Sequence, residues 1–263
     1  MRAISGFLAT QTLNPGNAAE LEGKLMFSIL SQFGKIGRAA LAAIRQRAHD
    51  DKGSTRLSPE LRDTLIFLFD LIEIFPSFDV PAYPVRTSPV LIWTDAMFEL
   101  GGRRIDAPQL GCVAAIGAVV WSPRLGTFFH SSLEIPPPLM VWLFKIKKQY
   151  IAQLEMMAVL SLYYSLPRDV LANELILHFV DNQGVIWNLV EATSTDPGCA
   201  GMAHSTALMQ ARLSCRVWYE YVASDANVAD LPSRGDFTYI SRLRLLHPFA
   251  PIRWFDSLIP SFS

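Results

Sequence analysis

From Ala18 to about His49 apolar residues recur at three- and four-residue steps, at Leu21, Leu25, Met26, Ile29, Leu30, Phe33, Ile36 and Leu41. That is the period of an amphipathic helix, and Asn14-Pro15-Gly16 punctuates its start. After the polar connector 50–55, Ser58-Pro59-Glu60 sets a capping residue, a first-turn proline and an early acid before the apolar run Leu61 to Phe75. This order predicts a second helix. Pro76, Pro81 and Pro84 then interrupt regular structure, so a helical front segment ends near Pro84 to Pro89. The division expected is 1–87 for that segment, 88–240 for the main domain and 241–263 for a tail.

Beyond the prolines the period shortens. Val90-Leu91-Ile92-Trp93 and Cys112 to Trp121 are short, apolar and β-branched, and Thr127 to Ile135 alternates, which predicts a three-strand meander. Pro136-Pro137-Pro138 ends that unit. Ile151 to Leu166 has helical periodicity with no internal glycine or proline. Leu175 to Val180 reads as a buried strand, Val185 to Ala192 as a helix, Asp196-Pro197-Gly198 as a loop, Ala203 to Cys215 as a helix and Val217 to Val222 as a last strand. This order describes an α/β domain around a mixed sheet.

With 263 residues and 51% hydrophobic composition the chain has material for a real core, which excludes disorder of the whole. A formal net charge of -1 excludes a global basic field, so any nucleic-acid contact must be local. Cys112, Cys199 and Cys215 have neither disulfide-framework nor zinc spacing, which favours a reducing compartment. The longest apolar run, Leu110 to Trp121, is too short to span a bilayer, and the amino terminus lacks the order of a secretory signal. A soluble, intracellular protein is the expectation, with the nucleus or cytoplasm left open.

Four acids draw the chemistry. Asp95 closes the first strand in Trp93-Thr94-Asp95-Ala96 and Asp181 closes the fourth in Phe179-Val180-Asp181-Asn182, at the strand ends where open α/β sheets bind ligands. Glu155 lies among Leu154, Met156 and Met157, where an unpaired charge is costly. Asp230 opens a helical turn after the last strand. Clustered carboxylates repel one another unless a cation neutralises them, and their oxygens suit Mg²⁺ or Mn²⁺. Two such ions about 4 Å apart activate a water and stabilise the leaving oxygen of an in-line displacement at phosphorus.

Blander roles stand beside these. Asp95 and Asp181 could cap turns, Glu155 could face solvent, and Asp230 could complement a helix dipole. Asp225 reads as a cap. Ser233 and Arg234 suit a phosphate or a surface ion pair, and Lys145, Lys147 and Lys148 either steer a nucleic-acid backbone or form a solvated basic face. Trp187, Met156 and Met157 are assigned to the core, and His130 and His178 to structural roles.

Taken in order, Trp93-Thr94-Asp95-Ala96, Gln153-Leu154-Glu155-Met156-Met157-Ala158, Phe179-Val180-Asp181-Asn182-Gln183 and the stretch from Ser224 to Arg234 resemble the ribonuclease H domain of retroelement reverse transcriptases, especially the DIRS-like branch. The resemblance covers roughly 88–240. It implies a ribonuclease H-like five-stranded mixed sheet flanked by helices, with Asp95, Glu155, Asp181 and Asp230 holding one or two Mg²⁺ or Mn²⁺ ions. It also implies an RNA–DNA hybrid as substrate, its RNA strand cut to leave a 3′-hydroxyl and a 5′-phosphate. Asn182, Ser233, Arg234, Lys147 and Lys148 are the candidate substrate contacts.

Leu21 to Leu25 and Phe33 to Ala39 look like the helical connection between polymerase and nuclease. No Tyr-x-Asp-Asp strand occurs, so the chain looks like the nuclease end of a reverse transcriptase, acting beside a polymerase domain or subunit. It departs from the family in Ala96-Met97 after the first acid and in a long link from Phe98 to Gln109. It also has no histidine between Tyr219 and Asp230, and His204 comes too early for that role. The alternative is a catalytically silent nucleic-acid-binding or structural fragment of a retroelement polyprotein. A third reading is another nuclease or integrase on the same fold.

Overall fold

The long front periodicity does not make one helix. In the computed structural model, which describes residues 2–29, 35–51, 53–74, 88–99, 113–136, 139–140, 150–238 and 246–248, it is divided between α2 (Pro15–Ser28) and α3 (Leu41–His49). Residues 35–40 are turns, and Gly37 has φ +91°, a conformation that a helix interior does not use. A Cβ there would lie 2.9 Å from Leu71 Cδ2. Both helices still bury one apolar set, with Leu21, Leu25, Leu41 and Ile44 all in the core, so the period survives the break. A preceding helix, α1 (Arg2–Thr10), was not anticipated, whereas α4 (Pro59–Ile74) starts at the predicted proline. Residues 30–34, with Phe33, and 75–87, with most of the expected boundary, lie outside the described residues.

By its contacts the chain forms two units, 1–84 with 191–193, and 85–190 with 194–263. In the first, the buried Arg47 guanidinium donates to the carbonyls of Leu13 (3.2 Å), Ser54 (2.9 Å) and Arg56 (2.9 Å). A single cation thereby ties together main-chain acceptors from two loops.

The second unit contains β1 (Val90–Glu99), β2 (Val113–Ser122), β3 (Thr127–Glu134), α5 (Ile151–Ser165), a short α6 (Arg168–Leu171), β4 (Leu175–Val180) and α7 (Gln183–Glu191). There follow α8 (Pro197–Arg212), β5 (Arg216–Tyr221), a 3₁₀ turn (Ser224–Ala226), α9 (Asp230–Ser233) and β6 (Leu246–Pro248). The sheet order is β5-β4-β1-β2-β3-β6. β2 is antiparallel to both neighbours and every other pair is parallel. The five strands β3-β2-β1-β4-β5, flanked by helices, form the five-stranded mixed sheet expected from the sequence, and β6 adds a short strand outside β3. Residues Gln153 to Tyr163 of α5 are all buried, because the helix packs against β1 and β2 on one side and α8 on another.

Three expectations are corrected. The first strand does not stop at Asp95: pairing with β4 ends at Trp93↔Phe179, but pairing with β2 continues to Glu99↔Val113, so β2 carries β1 four residues further. Asp196-Pro197-Gly198 is not a loop but a helix start. Asp196 Oδ1 accepts the Cys199 N–H at 2.8 Å, and Pro197 takes the first helical position, where its missing N–H costs nothing. Trp187 is 66% exposed, because α7 buries Val185 and Leu189 and the residue midway between them falls on the opposite face. Cys112, the link 100–112 and Lys145, Lys147 and Lys148 lie outside the described residues.

His178 on β4 lies at the centre of the helix-covered face. Its Nε2 is 3.0 Å from Thr94 Oγ1 and its Nδ1 is 3.2 Å from Tyr163 Oη, so both ring nitrogens are satisfied. Complete burial pushes its pKa down to about 3. An unfolded chain would take up that proton near the ordinary histidine value, so His178 contributes stability that is complete above about pH 6.5 and lost as pH falls toward 3. In urea titrations the wild type is expected to lose up to about 2 kcal/mol more than His178→Gln between pH 6.5 and 5. Parallel pH profiles for the two proteins would show that the ring is not held neutral.

Candidate active site

Side-chain alternation places Asp95 on the face of β1 opposite Thr94, and in the antiparallel ladder its partner is Gly117 of β2. This glycine is what seats the end of the site. A Cβ on Gly117 would lie 2.3 Å from the Ser233 nitrogen, 2.7 Å from the Ala229 carbonyl oxygen and 2.8 Å from Ser233 Cα, so the backbone of α9 rests directly on the sheet. Ser233, fully buried, then donates its hydroxyl to Asp95 Oδ2 at 2.6 Å, and Asp230 O lies at 2.9 Å as a second acceptor. Asn227, just before α9, donates to the Thr94 carbonyl at 3.0 Å and accepts from the Ala229 N–H. These contacts tie the short helix carrying Asp230 to the central strand carrying Asp95.

Asp181 immediately follows β4. Trp93 and Phe179, each two residues before an acid, stack with centroids 5.1 Å apart at 12°, supporting the two strands below their acidic ends. Glu155 enters from α5, where Asn182 Nδ2 donates to its Oε1 at 3.2 Å. The Asn182 carbonyl oxygen meanwhile accepts the N–H groups of Gly184 (2.9 Å) and Val185 (3.3 Å), capping α7.

The electrostatics link all four acids. Asp95 titrates above the usual carboxylate range, first because it is buried and then because Asp181 and Asp230 repel its charge, with the Ser233 hydrogen bond opposing the shift. Glu155 is pushed up to about 8 by burial, with Asp181 and Asp95 adding to the shift and Asn182 resisting it. Glu155 Oε2 and Asp181 Oδ1 are shielded from solvent and accept no hydrogen bond from any described residue. Asp230 is paired instead with Arg234, Nε to Oδ1 at 2.8 Å. Among the described residues, however, no three histidine, cysteine, aspartate or glutamate side chains are drawn closely enough together to form a metal cage.

Of the expected substrate contacts, Arg234 is exposed, and a phosphate could reach its guanidinium at the rim between Asp230 and Glu99. Ser233 is not available in that way: a buried hydroxyl spent on Asp95 cannot also meet a phosphate at the surface. Asn182 is likewise engaged, with Glu155 and the start of α7. His204 is half-buried on α8 with its pKa pushed down to about 4, which keeps the ring neutral, and no histidine lies near Asp230 in sequence. Gly117 and Asn227 were not singled out from sequence. A lone glycine inside an apolar strand run is the signal that marks a close backbone approach.

No protein-family model and no curated protein matches the chain. Among solved structures it is similar to the N-terminal RNase H domain of rv2228c from Mycobacterium tuberculosis, solved as a fusion with maltose binding protein. That likeness has TM-score 0.40 and 15% identity, covering 59% of this chain and 98% of that one. It is also similar to RNase H1 from the halophilic archaeon Halobacterium salinarum NRC-1, with TM-score 0.37 and 15% identity, covering 53% of this chain and 89% of that one. Likenesses at this distance carry no argument about chemistry.

Two outcomes follow from this geometry. Gly117→Ala should lift α9 from the sheet and cost about 2 kcal/mol or more, since backbone atoms cannot rotate away from the added methyl. An unchanged melting temperature would mean that α9 does not rest there. In EDTA, Glu155 contributes stability that is full below about pH 4.5 and lost as pH rises through 8, because folding raises its pKa. Glu155→Gln should therefore melt higher than wild type at pH 8 and show a flatter profile from pH 5 upward. Coincident profiles would refute the raised pKa.

Proposed function

We propose that this chain is a ribonuclease H-type phosphodiester hydrolase that cuts the RNA strand of RNA–DNA hybrids, using Mg²⁺ or Mn²⁺ held by Asp95, Glu155, Asp181 and Asp230. The observation that carries this reading is that acids from β1, α5, the end of β4 and α9 lie near enough to act on one another's charge, and that two of them present buried oxygens without a donor among the described residues. Such oxygens fit a hard dication better than any neutral partner. When bound, one or two ions would supply Lewis-acid stabilisation of the phosphoryl oxygens and a more acidic water.

The chain's own residues do the rest. Ser233 fixes the orientation of the Asp95 carboxylate by donating to Oδ2. Asn182 holds Glu155 by one oxygen. Protonated near neutral pH, Glu155 must release its proton to act as a ligand, so loading of the site should itself depend on pH. Arg234 provides a positive charge at the rim, suited to the hybrid's phosphates, and Lys147 and Lys148 are assigned to steering the same backbone. We further assign the chain to a retroelement reverse transcriptase, working beside a polymerase domain. No helix among the described residues is long and apolar enough to cross a membrane.

The spacing of the acids favours a second reading, a nucleic-acid-binding module on this fold that does not turn over, since among the described residues no three acids form a cage. A labelled hybrid incubated with the protein and Mg²⁺ separates the two. Cleavage of the RNA strand, reduced by about a hundredfold or more in Asp95→Asn and in Asp181→Asn with folding intact, is the expected result. Protection without cutting would favour the second reading, activity surviving both substitutions would locate the chemistry elsewhere, and cutting of DNA-only duplex would indicate a different nuclease.

A further inference from the structure

The backbone ladder between β1 and β4 ends at Trp93↔Phe179, and the next residues of each strand lead to Asp95 and Asp181, whose charges repel. Two strand ends that carry like charges beyond their last shared hydrogen bond will splay unless another tie holds them. On the opposite face from Asp95 there is such a tie. Thr94 Oγ1 lies 3.0 Å from His178 Nε2, diagonally across the end of the ladder, and His178 Nδ1 lies 3.2 Å from Tyr163 Oη on α5. Tyr219 on β5 pairs with His178 in the sheet, its ring 5.4 Å away, and takes a hydrogen bond from Gln210 of α8. Thr94, His178 and Tyr163 are 2%, 0% and 1% exposed.

Filling this space with apolar side chains would avoid the cost of burying a polar ring, so a fully satisfied chain of hydrogen bonds here specifies geometry more than it adds stability. Thr94 is gripped twice, by His178 at its hydroxyl and by Asn227 at its carbonyl, immediately before the acid. We propose that His178, acting through Thr94, is a positioning residue that sets the separation of Asp95 from Asp181 and with it the affinity of the site for a divalent cation. The inference rests on the metal-dependent reading above and adds a determinant outside the acids themselves.

The test uses the full chain and needs no substrate: the melting temperature is followed as Mg²⁺ is titrated into metal-free wild type, Thr94→Val, His178→Leu and His178→Gln. Thr94→Val keeps the shape and removes the hydroxyl, whereas the glutamine amide can occupy the place of Nε2. Half-maximal stabilisation should require about tenfold more Mg²⁺ in Thr94→Val and His178→Leu, while His178→Gln stays within about twofold of wild type. A purely structural role would lower the metal-free melting temperature and leave the Mg²⁺ midpoint unmoved, which would overturn the proposal. Equal weakening in the leucine and glutamine variants would do the same. If His178→Leu does not fold, the near-isosteric Thr94→Val decides alone. A wild type whose melting temperature ignores Mg²⁺ removes the metal-dependent reading and this inference together, whereas a responsive wild type matched by its variants removes this inference only.

Discussion

Like charges do not approach one another without being held, and the acids of the second unit that feel one another's charge are held by the elements that carry them. Each acid comes from a separate element, and each of those elements is fixed by something other than the acid. β1 is anchored through its long ladder with β2, α5 by burial on several sides, and the end of β4 by the Trp93–Phe179 stack and the α7 cap. The short α9 is fixed by backbone contact at Gly117. Burial first, and charge repulsion in addition, raise the pKa values of Asp95 and Glu155, so part of the cost of placing these acids is relieved by protonation.

Much of this was legible in the sequence. Strand and helix periods located β1 to β5 and α5, and the order of acids along them pointed to one sheet edge. What failed did so for identifiable reasons. Hydrophobic period reports burial, not continuity, so two helices burying one apolar set looked like a single long one until the left-handed Gly37 separated them. Asp-Pro-Gly is read equally well as a turn or as a capped helix start, and only the path of the chain decides. The extent of β1 depended on a partner strand distant in sequence.

The site shows the same division. Asp95, Glu155, Asp181 and Asp230 stand out as candidates by residue type and position, because carboxylates at strand ends and on an apolar helix call for an explanation. The roles of Ser233 and Asn182 were not, since whether a polar side chain faces a ligand or a neighbouring acid depends on a rotation of a few ångströms. Gly117 belonged to the same hidden class: its contribution is the absence of a side chain, which becomes visible only when another backbone is found in that space.

The four-residue span of α9 has one further consequence. A helix this short has almost no cooperative stability of its own, so Asp230 depends on a few anchoring contacts at Asp95, Thr94 and Gly117, while α5 is enclosed on several sides. The placement of segment 227–234 is therefore decided by tertiary contact and not by its own helical hydrogen bonds, so a change at any one of those anchors is carried directly to Asp230.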